Sequence, residues 1–324
     1  MTTRKPGQAN TPSAASTGAV AGETAHVPNA PRPPAAHPPR PGLLVFDVDG
    51  TLIDRSRRIS SRVKAAVAEA MAHGVKVALC TGRPLPSCRP FVRELGLEGP
   101  QICFDGALVK DLATGQVVLR RQIDLEAMGR VLAFARKVGI CCELYLEDAY
   151  YVERDWAETA VHAELIGVWS EIGDLDAILA SGDVIKGQLV PSSPKQVALA
   201  RAFHPEVADA LRFSWAKPPP GFGPIEFVNI VPPEVSKGEA LRSLAAHHGV
   251  PIERTVAVGD GLNDLPLLLA AGLGVAMGNA PEEVKREAGA VTAPVEEDGL
   301  AVAIERYVLT GCTGCEQDGQ DDRS

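Results

Sequence analysis

From Leu43 onward the chain alternates short apolar runs with longer segments that carry helix start and stop signals. The runs Leu43–Val48, Val75–Cys80 and Gln101–Phe104 predict buried strands. Between the first two, Ser60 or Ser61 is suited to cap a helix reaching His73, and Gly74 stands at its stop. Pro84 opens the next helix at its first turn. This β-α-β-α-β order predicts a doubly wound parallel sheet of the α/β class. The pattern resumes after Lys237, with helices expected over Gly238–His248 and Asn263–Ala271 and strands over Thr255–Val258 and Leu273–Met277.

About 120 residues, from Val109 to about Ile230, interrupt that pattern. They carry strands of their own at Ile140–Leu146, Val184–Val190 and Ile225–Ile230, and helices at Leu125–Val138 and Pro194–Phe203. That is too much structure for a loop, so the interruption reads as a second, inserted α+β domain. Pro218-Pro219-Pro220-Gly221 fits a turn or linker inside it. The first forty residues, rich in Pro, Ala, Thr and Gly, have too few large apolar side chains to offset their ordering entropy. The expected division is a disordered tail over 1–40, a core built from 41–108 and 232–310, an inserted domain over 109–231, and a disordered tail over 311–324. Cys312 and Cys315 form a C-x-x-C in that last tail, without the further ligands a zinc site needs.

Composition narrows the class. The 324 residues are 45% hydrophobic and 23% charged, as in an ordinary globular protein. A net charge of −9 argues against a nucleic-acid partner, whose phosphates call for clustered Lys and Arg. No apolar run is long enough to span a membrane, and the N-terminus lacks the apolar stretch of a secretory signal. The seven cysteines are scattered, with Cys80, Cys88 and Cys103 inside expected core segments, which fits a reducing, cytoplasmic compartment.

The candidate chemistry begins where the first strand ends. In Leu43-Leu44-Val45-Phe46-Asp47-Val48-Asp49-Gly50-Thr51-Leu52, the apolar run stops at two carboxylates spaced i, i+2, which an extended chain directs to the same side. Thr81 and Asp260 likewise follow predicted strands, and carboxyl ends of parallel strands are where such sheets bind ligands. Asp47, Asp49, Asp260 and Asp264 together would make a dense anionic cluster. One like-charge pair at about 4 Å is unfavourable by roughly 4 kcal/mol at an effective dielectric near 20. Lys237 supplies one compensating charge. A divalent cation with oxygen ligands is the simple remedy, and Mg2+ suits carboxylates facing a phosphate oxygen.

The same residues resemble the motifs of the haloacid dehalogenase superfamily, in order. Asp47-Val48-Asp49-Gly50-Thr51-Leu52 resembles the first motif, Thr81-Gly82-Arg83 the second, Lys237 the third and Gly259-Asp260-Gly261-Leu262-Asn263-Asp264 the fourth. The flanking Val275-Ala276-Met277-Gly278-Asn279-Ala280 and Glu297-Asp298-Gly299 are similar to the Cof-type branch. The resemblance implies a Rossmann-like core with a C2-type cap, which agrees with an insertion between the second and third motifs. It implies a phosphatase of small phosphorylated metabolites (sugar phosphates or phosphorylated cofactors) that works with Mg2+. By the same resemblance Asp47 is the nucleophile and Asp49 the general acid and base. Thr81, Gly82, Lys237 and Asn263 bind phosphate. Asp47, Asp260 and the Asp49 carbonyl hold the metal, and Asp264 orients Lys237 or a metal-bound water.

In one place the chain departs from the family. Cof-type proteins commonly carry Asn-Gly-Ala after the third strand, and here it is Asp105-Gly106-Ala107. Asp105 either starts a turn with Gly106 or changes the substrate contacts. Tyr150, Tyr151, Arg154, Trp156, Trp169, Lys186 and Trp215 are the candidate cap contacts. A phosphomutase, or a non-hydrolytic phospho-accepting module on the same core, remains an alternative, and the sequence does not address oligomeric state.

Overall fold

The computed structural model describes residues 40–218 and 221–310. The expected tails over 1–40 and 311–324, apart from Arg40, lie outside the described residues, as do Cys312, Cys315, Pro219 and Pro220. The first stretch of chain forms β1 (Leu43–Phe46), α1 (Ser61–Ala72), β2 (Lys76–Leu79), α2 (Leu85–Leu95) and β3 (Pro100–Cys103). Then come β4 (Leu108–Asp111), β5 (Val117–Arg120), α3 (Leu125–Val138), β6 (Cys141–Tyr145), β7 (Tyr150–Val152) and α4 (Ala157–Ile166). The next are β8 (Glu171–Ile172), α5 (Leu175–Ala180), β9 (Lys186–Val190), α6 (Pro194–Phe203), β10 (Arg212–Ala216) and β11 (Phe227–Val231). The last stretch holds α7 (Lys237–His247), β12 (Thr255–Gly259), α8 (Leu265–Ala270), β13 (Leu273–Ala276), α9 (Glu282–Glu287), β14 (Ala290–Val291) and α10 (Gly299–Ile304).

A parallel five-stranded sheet in the order β14-β13-β12-β1-β2 forms the core. The interior strand β1 is buried throughout, because its alternating residues serve two separate apolar layers. Leu44 and Phe46 pack with α1 and α10, whereas Leu43 and Val45 pack with α7 and α8. From β1 the chain moves outward to β2, and later returns to the other side of β1 as β12. The strand order therefore reverses between β1 and β12. At such a switch point the two flanking loops run apart and leave a crevice at the strands' carboxyl ends.

The third expected core strand behaves differently. β3 touches β2 through a single bridge, Cys80 to Ile102, and then pairs antiparallel with β4, which pairs with β5. Residues 109–120, placed by the sequence at the start of the insertion, thus continue the edge of β3. Edge strands recruit partners because their backbone groups are otherwise unpaired, and the β4–β5 hairpin supplies them.

The remaining six strands form a second sheet, β10-β11-β9-β6-β7-β8, antiparallel except for β7 with β8. Met128, Val131 and Leu132 of α3, Leu175 of α5 and Phe203 of α6 cover one face. Val161 and Leu165 of α4 pack against part of the other. On that face Tyr145 and Tyr150 stack at 4.9 Å and join the apolar layer of the parallel sheet, where Tyr145 meets Phe104 edge-on at 6.2 Å. No helix among the described residues is long and apolar enough to cross a membrane.

Helices α7 and α8, which carry Lys237 and follow Asp264, approach closely at Gly238. A Cβ there would lie 2.3 Å from the Pro266 carbonyl oxygen. Gly to Ala inside a helix ordinarily stabilises by about 1 kcal/mol. Here the steric conflict reverses the sign, so Gly238→Ala is expected to lower the midpoint of denaturant unfolding. A raised midpoint would contradict this packing.

Candidate active site

Each motif lies just beyond a strand of the parallel sheet or opens a helix beside it. β1 ends at Phe46, and the Asp47 N–H still donates to the Val258 carbonyl of β12 at 3.0 Å. Asp47 is buried, whereas the next residues turn away and leave the Asp49 side chain 58% exposed. The two carboxylates of the first motif therefore occupy different environments, because the strand stops before them and the chain bends at Gly50. Gly50 has φ +79°, and a Cβ on it would lie 2.3 Å from Asp260 Oδ2. Glycine lets the first loop rest against the fourth without a clash.

Lys237 is the first residue of α7, behind the cap Ser236, whose Oγ accepts from the Glu239 N–H. Its buried ammonium donates to Asp47 Oδ1 at 2.6 Å and to Asp264 Oδ1 at 2.5 Å. Burial opposes the charge, but Asp264 and Asp47 outweigh it and hold the Lys237 pKa well above its usual value. The other Asp264 oxygen accepts from the backbone N–H groups of Asp260 (3.0 Å) and Gly261 (2.8 Å). Asp264 thus anchors both Lys237 and the loop that presents Asp260.

Asp47, Asp260 and Asp264 each direct one oxygen into a space where these atoms lie within 4.8 Å of one another. Desolvation is the main reason the Asp47 pKa is raised well above its usual range, with Asp264 and Asp260 adding to the shift against Lys237. Desolvation with repulsion from Asp264 likewise pushes Asp260 up to about 7. Three carboxylates share one ammonium, and the donor atoms are all oxygen. This set fits a hard divalent cation. Asp264 is held by contacts of 2.5 to 3.0 Å, whereas the Asp260 oxygens have only longer ones, from Thr51 Oγ1 and Asn279 Nδ2 at 3.3 Å, so Asp47 and Asp260 have the greater capacity to ligate.

On the other side of the crevice, Thr81 follows β2 and is held by its N–H donating to the Ile102 carbonyl at 3.0 Å. Its Oγ1 accepts from the Arg83 N–H at 3.2 Å. Asp105, at φ +56°, packs against the adjacent Gly82, where a Cβ would lie 2.8 Å from Asp105 Oδ1. Asn263 faces the same carboxylate, with Nδ2 at 3.5 Å from Asp105 Oδ1. The structure therefore brings Asp47, Lys237, Asp264 and Asp260 into one cluster. Asn263 and Gly82 meet at Asp105, and Asp49 is turned toward Arg83.

Arg83 and Asn279 had no role in the sequence reading beyond their place in a motif. The Arg83 guanidinium takes both Asp49 oxygens, Nη2 to Oδ1 at 2.6 Å and Nε to Oδ2 at 2.7 Å. Its remaining hydrogens reach Ser87 Oγ and the carbonyls of Leu165 and Ile166 at the end of α4. All five guanidinium donors have acceptors. Asn279 Nδ2 donates to the Gly50 carbonyl at 3.0 Å and lies 3.3 Å from Asp260 Oδ2, while its Oδ1 accepts from the Val295 N–H. No local signal could have found either contact, since the Asn279 partner lies 229 positions away. Of the candidate cap contacts, Tyr151 and Trp215 pack with the helix-covered side of the second sheet, Arg154 stacks on Trp156, and Trp169 is exposed.

A parallel sheet with an acidic, lysine-braced crevice at its switch point has the donors to bind a cation together with a phosphoryl group. Residues 44–304 match the haloacid dehalogenase-like hydrolase family, and the chain belongs to that family. It is similar to 5-amino-6-(5-phospho-D-ribitylamino)uracil phosphatase YitU of Bacillus subtilis, 29% identical over 83% of this chain and 98% of the relative. Phosphatase YwpJ of the same organism is 29% identical over 80% of this chain and 97% of its own length. Among solved structures, TM0651 from Thermotoga maritima aligns with a TM-score of 0.73 at 27% identity, covering 82% of this chain and 96% of that one. The subclass IIB sugar phosphatase BT4131 aligns at 0.69 and 25% identity, covering 82% and 98%. The protein is thus a Cof-type member of the family and a phosphatase enzyme.

The Asp260 carboxyl yields a pH dependence. It keeps its proton to about pH 7 in the folded chain but releases it near 3.8 when unfolded. Between those values the folded state binds more protons, so stability falls as pH rises from 3.8 to about 7. Urea melts in chelator are expected to show this slope, and a divalent cation that displaces the proton should flatten it. Stability that rises over the same interval in chelator would contradict the crowding of carboxylates.

Proposed function

We propose that this chain is a Mg2+-dependent phosphatase of small phosphorylated metabolites that passes through an aspartyl-phosphate on Asp47. The observation that carries the reading is the buried Asp47, fixed by Lys237 at 2.6 Å beside Asp260 in the switch-point crevice. A nucleophile needs a fixed position and a nearby positive charge for the phosphoryl group it attacks. The named phosphatases among the relatives, one acting on a phosphorylated ribitylaminouracil and one on sugar phosphates by their names, support small phosphate esters as the substrate class.

An Asp47 oxygen attacks phosphorus, and the bond to the ester oxygen breaks. Asp49 delivers the proton that the leaving oxygen requires. Asp49 then takes a proton from water, whose oxygen attacks the phosphorus of the aspartyl-phosphate and releases inorganic phosphate and free Asp47. Thr81 Oγ1, the Gly82 N–H and the Lys237 ammonium neutralise and orient the phosphoryl oxygens, with Asn263 at the rim. Asp47, Asp260 and the Asp49 backbone carbonyl would hold the Mg2+, which when bound neutralises charge between the phosphoryl group and the carboxylates. Asp264 keeps Lys237 and the Asp260 loop in register. Each Asp49 oxygen keeps a second lone pair beside its Arg83 contact, and that site can carry the transferred proton.

The core in this reading is the parallel sheet with the β3–β5 edge, and the second sheet is a cap. The chain passes between them after Arg120 and after Val231. Tyr145 and Tyr150 dock the cap on the core.

Phosphate release from sugar phosphates, pyridoxal phosphate, flavin mononucleotide and an aryl phosphate, with Mg2+ or with chelator, tests the reading. Release is expected only with Mg2+, and Asp47→Asn should lower it by about 10³-fold or more while the thermal melt stays cooperative. Turnover at the parent rate by Asp47→Asn would remove Asp47 as nucleophile.

A further inference from the structure

The second sheet holds a cation that the mechanism above does not use. Lys186 opens β9 and is only 4% exposed. Its ammonium reaches across to the core and donates to the Gly82 carbonyl at 3.3 Å, with the Tyr145 ring 5.4 Å away. Among the described residues no carboxylate forms an ion pair with it, whereas the equally buried Lys237 has two. Burial lowers the Lys186 pKa, partly opposed by the more distant Asp105 and Glu143. An ammonium has three hydrogens to donate, and only one has an acceptor here. Such a group is costly to bury unless an acceptor completes it.

The register shows what surrounds it. Tyr145 is opposite Lys186 and Glu143 is opposite Gln188, so all four side chains share one face of the sheet. Glu143 is fully buried. Its Oε2 accepts from Tyr145 Oη at 2.5 Å and Gln188 Nε2 at 2.8 Å, and lies 2.8 Å from His162 Nδ1. Its Oε1 has no partner. The wall thus has donors to spare at Lys186 and an acceptor to spare at Glu143. A hydroxyl group is the small ligand that both accepts and donates.

Resting on the phosphatase reading above, we propose that Lys186 is a substrate-binding residue contributed by the cap, and that it recognises a hydroxyl oxygen on the organic half of the phosphate ester. The core already supplies Thr81, Gly82 and Lys237 to the phosphoryl group, whereas Lys186 enters from the opposite sheet, where the leaving group must lie. Hydroxyl-bearing esters are therefore favoured over apolar ones.

The test is equilibrium binding by calorimetry, in Mg2+, to the full chain carrying Asp47→Asn, so that no ester is consumed. The probes are glucose 6-phosphate, ribose 5-phosphate, glycerol 3-phosphate and phenyl phosphate. At least one hydroxyl-bearing ester is expected to bind about tenfold tighter than phenyl phosphate, and adding Lys186→Met should remove that advantage while changing phenyl phosphate by less than about twofold. Met has similar bulk and no charge to bury, so the melting temperature of Lys186→Met should not fall. Lys186→Arg should recover part of the selectivity. Phenyl phosphate bound as tightly as every other probe, or an equal loss for all probes in Lys186→Met, would overturn the proposal. So would a lowered melting temperature without loss of selectivity, which would mark Lys186 as a structural residue. Phosphate release by the unmodified protein is a separate readout. If release is absent while the Lys186-dependent preference persists, the phosphatase reading fails and the binding role stands.

Discussion

The Lys237 ammonium sits between Asp47 and Asp264, shielded from solvent, and the rest of the crevice is arranged around that triad. A single buried charge in this position ties three elements together: the end of β1, the first turn of α7 and the loop before α8. Removing charges from water is costly, and such a triad persists only where short contacts and surrounding dipoles replace the lost hydration. Here Asp264 completes its second oxygen with two backbone N–H groups, which in turn shape the loop that carries Asp260. With Asp260 included, carboxylates outnumber the ammonium. The pocket is left with an excess of negative charge. The same imbalance that strains the pocket in isolation suits an all-oxygen donor set to a hard cation.

A second charged contact links this pocket to the other sheet. Arg83 holds Asp49 with two of its nitrogens, while the rest of its hydrogens reach Ser87 and the last carbonyls of α4. A helix carboxyl end is a favourable place for a guanidinium because its terminal carbonyls lack intrahelical partners. The acid of the proposed mechanism and the position of α4 are therefore joined through one side chain. Tyr145 and Tyr150 add apolar contact between the same two layers. Movement of the second sheet away from the core would break both kinds of contact at once.

Much of this architecture was legible beforehand. The two apolar layers served by β1 follow from a run without polar positions, and the first helix follows from Ser60 and Gly74. The cluster of Asp47, Lys237, Asp260 and Asp264 was readable because each residue ends a strand or opens a helix next to the sheet. Strand order in a doubly wound sheet then leaves little freedom in where those ends meet. The β4–β5 hairpin was not legible as part of the core, since a strand's partner is set by a free edge elsewhere and not by its own alternation. Asp49 was expected beside Asp47 on an extended strand, but the strand stops at Phe46 and the chain turns at Gly50.

What the sequence by itself determined is the class of fold, the identity of the family and the set of side chains at the crevice. The fold class and the side chains at the crevice depend on local signals, namely apolar periodicity, caps, and charged residues at strand ends, and the family follows from motifs that resemble it in the right order. Only the tertiary structure decided that Arg83 takes Asp49, that Asn279 braces Gly50 and Asp260, and that Lys186 reaches the crevice from the opposite sheet. Lys186 and Gly82 are 104 positions apart, and nothing in either neighbourhood encodes their meeting. Such pairings depend on how the two sheets are oriented on one another. That orientation is set by packing over a whole interface, a property no short stretch of sequence carries.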